Sequence, residues 1–257
     1  VHGVVLAGGS AFGLDASSGV MKYLEEHGIG FDVGVTKVPI VASAVIFDLA
    51  VGDYRIRPDF NMGYNAAKNA NTTENRQGCV GCGMGATVGK ILGPKNAMKS
   101  GLGSATIEIG ELKVSAMVVV NSFGDVYDYK TNKQIAGVYD YNGKQMLNTL
   151  DIFKGEYNPV DLSMKNTTIG VIGTNAILNK AEGNKIAQMA HNGFARSINP
   201  IHTMFDGDTI FTMATNKVIA DVSLVGTIAT EAMSMAITNA IVSSKSHGGL
   251  LSFKDIE

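Results

Sequence analysis

Runs of apolar residues along the chain alternate with polar, glycine-containing connections, and they predict both strands and helices. Continuous apolar runs at 4–7 and 44–49 predict buried strands. A β-hairpin is predicted over 101–124, because 105–109 alternates, Gly110-Glu111 turns and 114–120 returns as a hydrophobic strand. The polar, irregular stretch 127–166 is interpreted as a surface excursion able to carry a cleavable segment. Apolar residues at helical spacing predict helices at 15–28, 61–71, 178–197 and 221–243.

A predicted strand in the second half of the chain has a polar start. Residues 165–172 include Ile169 and Val171, whose β-branched side chains favour a strand, preceded by Asn166 and two threonines. A bond cut after this Asn would leave Thr167 as a new N-terminus. A free Thr amine has a pKa of about 8, so near neutral pH it can act as the base for its own hydroxyl. The alternative is that Asn-Thr-Thr simply opens a strand.

Four further polar residues are candidates for chemistry, each with a plain structural alternative. Lys90 follows a glycine-dense stretch and is either a buried cation near a site or a surface lysine. Asn121 ends the second hairpin strand, where its amide can stabilise an oxyanion or merely form a turn. Asp206 and Asp208 flank a Gly before the predicted strand 209–213. They can hold an ammonium or a hydroxyl proton, or form a solvated turn.

The composition narrows the classes of protein without identifying one. With 257 residues the chain makes one large domain or two small ones, and its formal charge of −2 gives no nucleic-acid footprint. Cys79 and Cys82 make neither a disulfide framework nor a zinc site, so we interpret them as small buried thiols. His202 is interpreted as a hydrogen-bonded structural histidine. We expect no metal, no cofactor and no nucleic-acid partner.

The length of the apolar runs and the start of the chain lead to expectations about where in the cell the protein is found. We find no apolar run of about 20 residues and therefore predict no membrane span and no membrane partner. The chain begins at Val1, without Met and without a signal peptide. We therefore expect a cytoplasmic protein with further residues before the first one.

Taken in chain order, several short segments resemble one family of enzymes. These are the autoprocessing N-terminal-nucleophile peptidases, which include L-aminopeptidase/D-esterase, the β-peptidyl aminopeptidases and the endo-acting nylon-oligomer hydrolase. The segments cover nearly the whole chain in the family's order: Gly8-Gly9-Ser10-Ala11-Phe12-Gly13-Leu14, Ala44-Val45-Ile46-Phe47-Asp48-Leu49, Gly89-Lys90, Val119-Val120-Asn121, Asn166-Thr167-Thr168, Pro200-Ile201-His202-Thr203 and Asp206-Gly207-Asp208-Thr209.

The resemblance implies that Thr167 is the nucleophile. It would be freed by self-cleavage after Asn166, leaving a large fragment, 1–166, and a small fragment, 167–257. The freed residue would then attack the carbonyl of a small peptide or amide substrate, and the reaction would proceed through an acyl-enzyme.

The resemblance implies supporting roles for the other four polar residues. Asp206 and Asp208 would bind and orient the amine and hydroxyl of the nucleophile and raise the pKa of the amine. Lys90 would add positive charge beside the nucleophile and oppose that rise. Asn121 would stabilise the oxyanion.

The resemblance also implies an architecture and an assembly. It predicts an α/β (α+β) fold, a four-layer α-β-β-α sandwich shared with ornithine acetyltransferase, and homotetramers of cleaved protomers. The whole of 1–257 would be one hydrolase domain that lacks its N-terminal region. Residues 39–44 hold no acid where the aminopeptidase branch carries a Glu, and the nucleophile is Thr, not Ser. Both departures place the chain nearer the nylon-oligomer hydrolase branch.

Two alternatives to amide hydrolysis stay open at this stage. One is acyl transfer to an amine, as in ornithine acetyltransferase, which uses a related self-cleaved Thr. The other is a catalytically silent relative that keeps the fold for binding or assembly.

Overall fold

The protein, described by a computed structural model over residues 1–155 and 166–256, divides into two compact units. The first unit is Val1–Arg76 and the second is Gln77–Glu257. Each has its own sheet and its own helices. The prediction of a single domain over 1–257 stays a prediction.

The first unit combines a parallel strand pair with two helices. Its elements in order are β1 (Gly3–Ala7), α1 (Ala16–Glu26), β2 (Phe31–Asp32), β3 (Lys37–Val38), β4 (Val41–Val45) and α2 (Phe60–Asn69). Strand β1 pairs in parallel with β4, β2 and β3 form a short antiparallel pair, and α1 packs against α2.

The strand predicted at 44–49 is wrong from Ile46 onward, because β4 covers Val41–Val45. The chain then turns, and the Asp48 carboxylate accepts a hydrogen bond of 2.7 Å from the backbone N–H of Gly9. Gly9 has a φ of 80°, a left-handed conformation that favours glycine. Asp48, which follows the apolar residues of this run, therefore supports the glycine-rich turn after β1.

The second unit is built on a four-stranded sheet with the strand order β15-β13-β8-β7. Within it β7, β8 and β13 pair antiparallel, and β13 pairs with β15 in parallel. Its elements in order are β5 (Thr87–Val88), β6 (Met98–Lys99), β7 (Leu102–Ile109), β8 (Leu112–Val119), β9 (Asp125–Tyr127), β10 (Gln134–Ala136), β11 (Tyr139–Asp140), β12 (Gln145–Met146), α3 (Thr149–Lys154), β13 (Ile169–Ala176), α4 (Lys180–Ser197), β14 (Ile198–Asn199), β15 (Thr209–Val218) and α5 (Val222–Val242).

The core of the second unit lies between the sheet and its two long helices. Helices α4 and α5 pack against each other, and α5 also packs on β7 and β8. The predicted hairpin over 101–124 is confirmed as β7 and β8, and the predicted helix over 221–243 is confirmed as α5. The second unit therefore consists of a β layer with a helical layer packed on it.

Helix α5 also passes a length and composition test for a membrane span. Its 21 residues are long and apolar enough to cross a membrane, so the expectation that the chain has no apolar segment of this length is not met. However, 67% of its most apolar stretch is buried inside the protein. Burial of this extent is typical of the core helix of a globular unit.

Two further expectations differ from the structure. The stretch 127–166 is not simply a surface excursion, because Ile135, Ala136 and Val138 are buried in the second unit. Residues 156–165 of that stretch lie outside the described residues. Cys79 and Cys82 are only partly buried, not fully buried as expected, and the Cys79 thiol donates to the carbonyl of Lys245 at 3.3 Å.

The approach of α5 to β7 depends on a glycine, and this gives a stability prediction. A Cβ at Gly103 would lie 1.9 Å from the carbonyl oxygen of Ala236. We expect Gly103→Ala to force α5 from the sheet and lower the free energy of unfolding by about 1–3 kcal/mol. Urea denaturation measures the loss.

The matched control is Gly173→Ala on β13, where a Cβ meets no atom within 4 Å. We expect that variant to unfold like the unmodified protein or at slightly higher urea. Equal stability of the two variants would show that the α5–β7 spacing is not set by the glycine.

Candidate active site

The predicted cleavage site lies just before the parallel strand pair β13–β15 and continues its register. Strand β13 begins at Ile169, later than the predicted strand start, and pairs with Thr209 of β15. Before it, Asn166 forms an isolated parallel bridge with Asp206, which preserves the same register. Lys165, the first residue of the predicted strand, lies outside the described residues. The Asn166–Thr167 bond is therefore held beside the 205–208 segment, as a strand would be.

The Thr167 hydroxyl contacts the carbonyl group of the preceding residue. Its Oγ1 donates to the carbonyl oxygen of Asn166 at 2.5 Å, and the backbone N–H of Gly207 donates to the same oxygen at 2.8 Å. A Cβ at Gly207 would lie 3.2 Å from Thr167 Oγ1, so the glycine leaves room for the hydroxyl. The arrangement brings a nucleophile to a carbonyl that a backbone amide polarises.

Lys90 and Asn121 form a buried pair that contacts Thr167. Lys90 is 6% exposed and Asn121 is fully buried, so the surface-lysine alternative is wrong. The Lys90 ammonium donates to the side-chain Oδ1 of Asn121 at 2.7 Å and to its backbone oxygen at 3.1 Å. Asn121 Oδ1 also accepts from the N–H of Thr87 at 3.2 Å, and its backbone oxygen accepts from the N–H of Thr167 at 3.1 Å. These donors fix the amide with Oδ1 toward the lysine.

A close backbone approach puts Lys90 inside the unit. The N–H groups of Gly89 and Lys90 donate to the carbonyls of Gly124 and Phe123. Gly89 has a φ of 72°, and a Cβ there would lie 1.9 Å from the carbonyl carbon of Gly137. Only glycine fits this position, which explains a Gly directly before the lysine.

Asp208 holds the backbone directly after Thr167, whereas the Asp206 carboxylate is bonded to Thr203 and Phe123. Asp208 Oδ1 accepts from the N–H of Thr168 at 2.7 Å, and Asp206 accepts from the hydroxyl of Thr203 at 2.5 Å and from the N–H of Phe123 at 3.3 Å. Burial raises the pKa of the Asp206 carboxyl, Thr203 opposes that rise, and the charge on Asp208 adds to it. Among the described residues, neither carboxylate hydrogen-bonds to the Thr167 hydroxyl of the uncleaved chain.

His202 is bonded directly to one of these carboxylates. Its Nδ1 lies 2.7 Å from Asp208 Oδ2, and the Asp208 side chain is only 2% exposed. The His202 ring also stands 4.9 Å from that of His191 on α4, and its φ of 57° is left-handed. The interpretation of His202 as hydrogen-bonded is confirmed. The hydrogen bond to Asp208 is the largest cause that raises the pKa of His202, while burial lowers it.

This pair predicts a pH-dependent stability. A His whose pKa is raised on folding stabilises the protein fully below its ordinary pKa of 6.5, and that contribution is lost as pH rises through the folded value. We expect His202→Gln to lower the free energy of unfolding at pH 5.5 to 6, by an amount on the order of that of a part-exposed ion pair. The difference from the unmodified protein should shrink above about pH 8. Urea unfolding across this range measures it.

His191→Gln is the control of opposite sign. Burial is the largest cause that lowers the pKa of His191 below 6.5, so its neutral form is favoured by folding. Protonation of His191 at low pH therefore destabilises the folded protein. We expect His191→Gln to raise the free energy of unfolding at low pH relative to the unmodified protein. A parallel shift of both variants at every pH would contradict the assignment of the pH effect to the His202–Asp208 bond.

Sequence reasoning named polar residues that the structure places near Thr167, and it did not name three other contributors. The structure joins Lys90, Asn121, Thr167, Asp206 and Asp208 through the contacts above. Gly207, Phe205 and the His202–Asp208 bond were not singled out. A Gly between two acids next to a strand was the available signal for Gly207. Phe205 acts through its backbone carbonyl, which accepts the N–H of Asn166 at 2.7 Å, and a carbonyl leaves no signal in a sequence.

The fold and the site define the class of the protein. The structure resembles L-aminopeptidase D-Ala-esterase/amidase from Ochrobactrum anthropi, described as a variant of the Ntn hydrolase fold, with a TM-score of 0.63 at 18% identity over 92% of this chain and 64% of that one. A β-aminopeptidase from Burkholderia sp. gives a TM-score of 0.62 at 18% identity over 94% and 69% of the two chains. The predicted fold class is confirmed, and the chain has the N-terminal-nucleophile hydrolase fold.

The chain belongs to peptidase family S58, whose family model matches residues 1–252. It is 38% identical to an uncharacterized aminopeptidase of Mycobacterium leprae, over 97% of this chain and 74% of that protein. It is 32% identical to a 6-aminohexanoate-oligomer endohydrolase of Kocuria sp., over 84% of this chain and 61% of that protein. The predicted family is confirmed, and the protein is a hydrolase that acts on amide or peptide bonds.

Proposed function

We propose that the protein is a self-cleaving N-terminal-threonine amide hydrolase that works through an acyl-enzyme on Thr167. The observation that carries the proposal is the contact between the Thr167 hydroxyl and the carbonyl oxygen of Asn166, which also accepts the N–H of Gly207. A hydroxyl adjacent to its own preceding carbonyl is the starting arrangement for an N→O acyl shift. The family membership supports amide chemistry at this position.

Self-cleavage then proceeds in two steps. The Thr167 oxygen bonds to the carbonyl carbon of Asn166 as the C–N bond breaks, and the hydroxyl proton passes to the released nitrogen. Water next adds to the ester, which releases a carboxylate on Asn166 and restores the hydroxyl of Thr167. The chain then holds a nucleophile and its amine base in one residue.

The surrounding residues fit the roles proposed for them. The backbone oxygen of Asn121, which accepts the N–H of Thr167, would hold the new amine beside the buried charge of Lys90. Lys90 donates to Oδ1 of Asn121, and the side-chain N–H₂ at the other end of the amide would donate to an oxyanion. Asp206 and Asp208 would act on the amine, whose pKa they raise and Lys90 lowers.

The substrate is proposed to be a small peptide or amide. The relatives include aminopeptidases and oligomer endohydrolases, and residues 39–44 hold no acid able to pair with a substrate's free amine. We therefore place the activity nearer the endohydrolases. A cytoplasmic homotetramer of cleaved protomers belongs to the same proposal.

Intact mass of the purified, denatured protein tests the proposal before any substrate is known. We expect two fragments, with N-terminal sequencing of the smaller one beginning at Thr167. One uncleaved chain that nevertheless hydrolyses amides would remove Thr167 as an N-terminal nucleophile.

A further inference from the structure

The uncleaved chain presents its own residue 166 to the nucleophile as a strand-like ligand. The N–H of Asn166 donates to the carbonyl oxygen of Phe205 at 2.7 Å, and its carbonyl oxygen accepts from the N–H of Gly207 at 2.8 Å. Both bonds use only backbone atoms of Asn166. The residue is 2% exposed, so the contact is made away from water.

Residues 205–207, which hydrogen-bond to Asn166, are held in place by their own packing and hydrogen bonds. The Phe205 ring packs on Phe123 with ring centroids 5.4 Å apart, and it borders a buried apolar cluster of Ile91, Phe123 and Val138. Asp206 is tied down by its bonds to Thr203. The carbonyl of Phe205 and the N–H of Gly207 are therefore preorganised as an acceptor and a donor on one edge.

The chemistry links this contact to the substrate. The ester formed in self-cleavage is an acyl-enzyme whose acyl group is the chain that ends at Asn166. Its hydrolysis breaks the same Thr167 Oγ–acyl bond that must break when a substrate acyl-enzyme turns over. Once the Asn166 carboxylate leaves, Phe205 O and Gly207 N–H lose these partners and form an open strand edge.

We propose that the backbone of 205–207 is the acyl subsite, and that it takes the α-acylamino residue of an extended peptide. The N–H of that residue donates to Phe205 O, and its scissile carbonyl oxygen accepts from Gly207 N–H. The subsite thus recognises a peptide backbone through the N–H and the scissile carbonyl of the same residue. The side chain of that residue plays no part in this recognition. This rests on the proposed function and names the substrate class for it.

A pair of isosteric chromogenic substrates tests the subsite on the self-cleaved protein. N-acetyl-L-alanine p-nitroanilide carries the N–H, and O-acetyl-L-lactic acid p-nitroanilide replaces only that N–H with an ester oxygen. We expect kcat/KM for the second to be at least about tenfold lower, because the Phe205 carbonyl then lacks a donor and faces a lone pair. Both rates are read from released p-nitroaniline.

The outcomes separate the subsite from the proposed function. Equal kcat/KM for the two substrates, with both rates lost in Thr167→Ala, would overturn the subsite and leave the nucleophile intact. Failure of the cleaved protein to hydrolyse either anilide would also overturn the subsite, while a fragment beginning at Thr167 would still support self-cleavage. Hydrolysis that persists in Thr167→Ala would remove the proposed function itself.

Discussion

Replacing Thr167 with Ala is expected to leave a single uncleaved chain and to abolish amide hydrolysis. The hydroxyl that contacts the Asn166 carbonyl would be gone, so neither the acyl shift nor the later attack on substrate has a nucleophile. We expect a loss of kcat on the order of 10⁴ or more, the scale seen when an enzyme loses its nucleophile. Intact mass follows the cleavage, and release of p-nitroaniline follows the hydrolysis.

Two variants show whether that loss belongs to the hydroxyl of Thr167. Thr167→Ser keeps a nucleophile and should still cleave. Thr168→Val changes the adjacent threonine, whose buried Oγ1 has no hydrogen-bond partner among the described residues, and preserves its shape. We expect it to cleave and to hydrolyse like the unmodified protein. A Thr167→Ala protein that still separates into two fragments would contradict the assignment of the nucleophile.

Sequence reasoning worked where the information was local. The hairpin of β7 and β8 follows from an alternating strand, a Gly-containing turn and an apolar return strand. Helix α5 follows from a long apolar pattern between an Asp cap and a polar end. It failed where burial depends on distant partners. Residues 135–138 are embedded in polar sequence and are buried only because the second unit folds over them.

The site shows the same division. The type of each candidate residue was visible in the sequence, and so was the position of Asn121 and Thr167 beside predicted strands. The burial of Lys90 was not, because it depends on the contact of Gly89 with Gly137, far along the chain. The hydrogen bond between His202 and Asp208 and the backbone contacts of Phe205 also form only when the chain folds. Geometry between remote segments was the part that the sequence could not show.

The second large effect is expected from Lys90→Met, which removes a buried charge and the side-chain hydrogen bonds to Asn121 at nearly constant volume. The backbone oxygen and the Oδ1 of Asn121 would both lose the hydrogen bond that they accept from the Lys90 ammonium. Without it the amide is free to turn, and the new Thr167 amine lacks the positive charge that lowers its pKa. We expect kcat to fall on the order of 10²- to 10³-fold. The pH at which activity rises should move upward.

Lys99→Met is the matched control for loss of stability alone. Lys99 is fully buried, and its ammonium donates to the backbone carbonyls of Gly83, Ala86 and Ser100. Both variants should unfold at lower urea, because each strips a charged donor from buried oxygens. Only Lys90→Met should also shift the pH profile. Lys90→Gln, which can keep a donor but not the charge, separates the two roles: activity near that of the unmodified protein would show that Lys90 orients Asn121 and does not tune the amine.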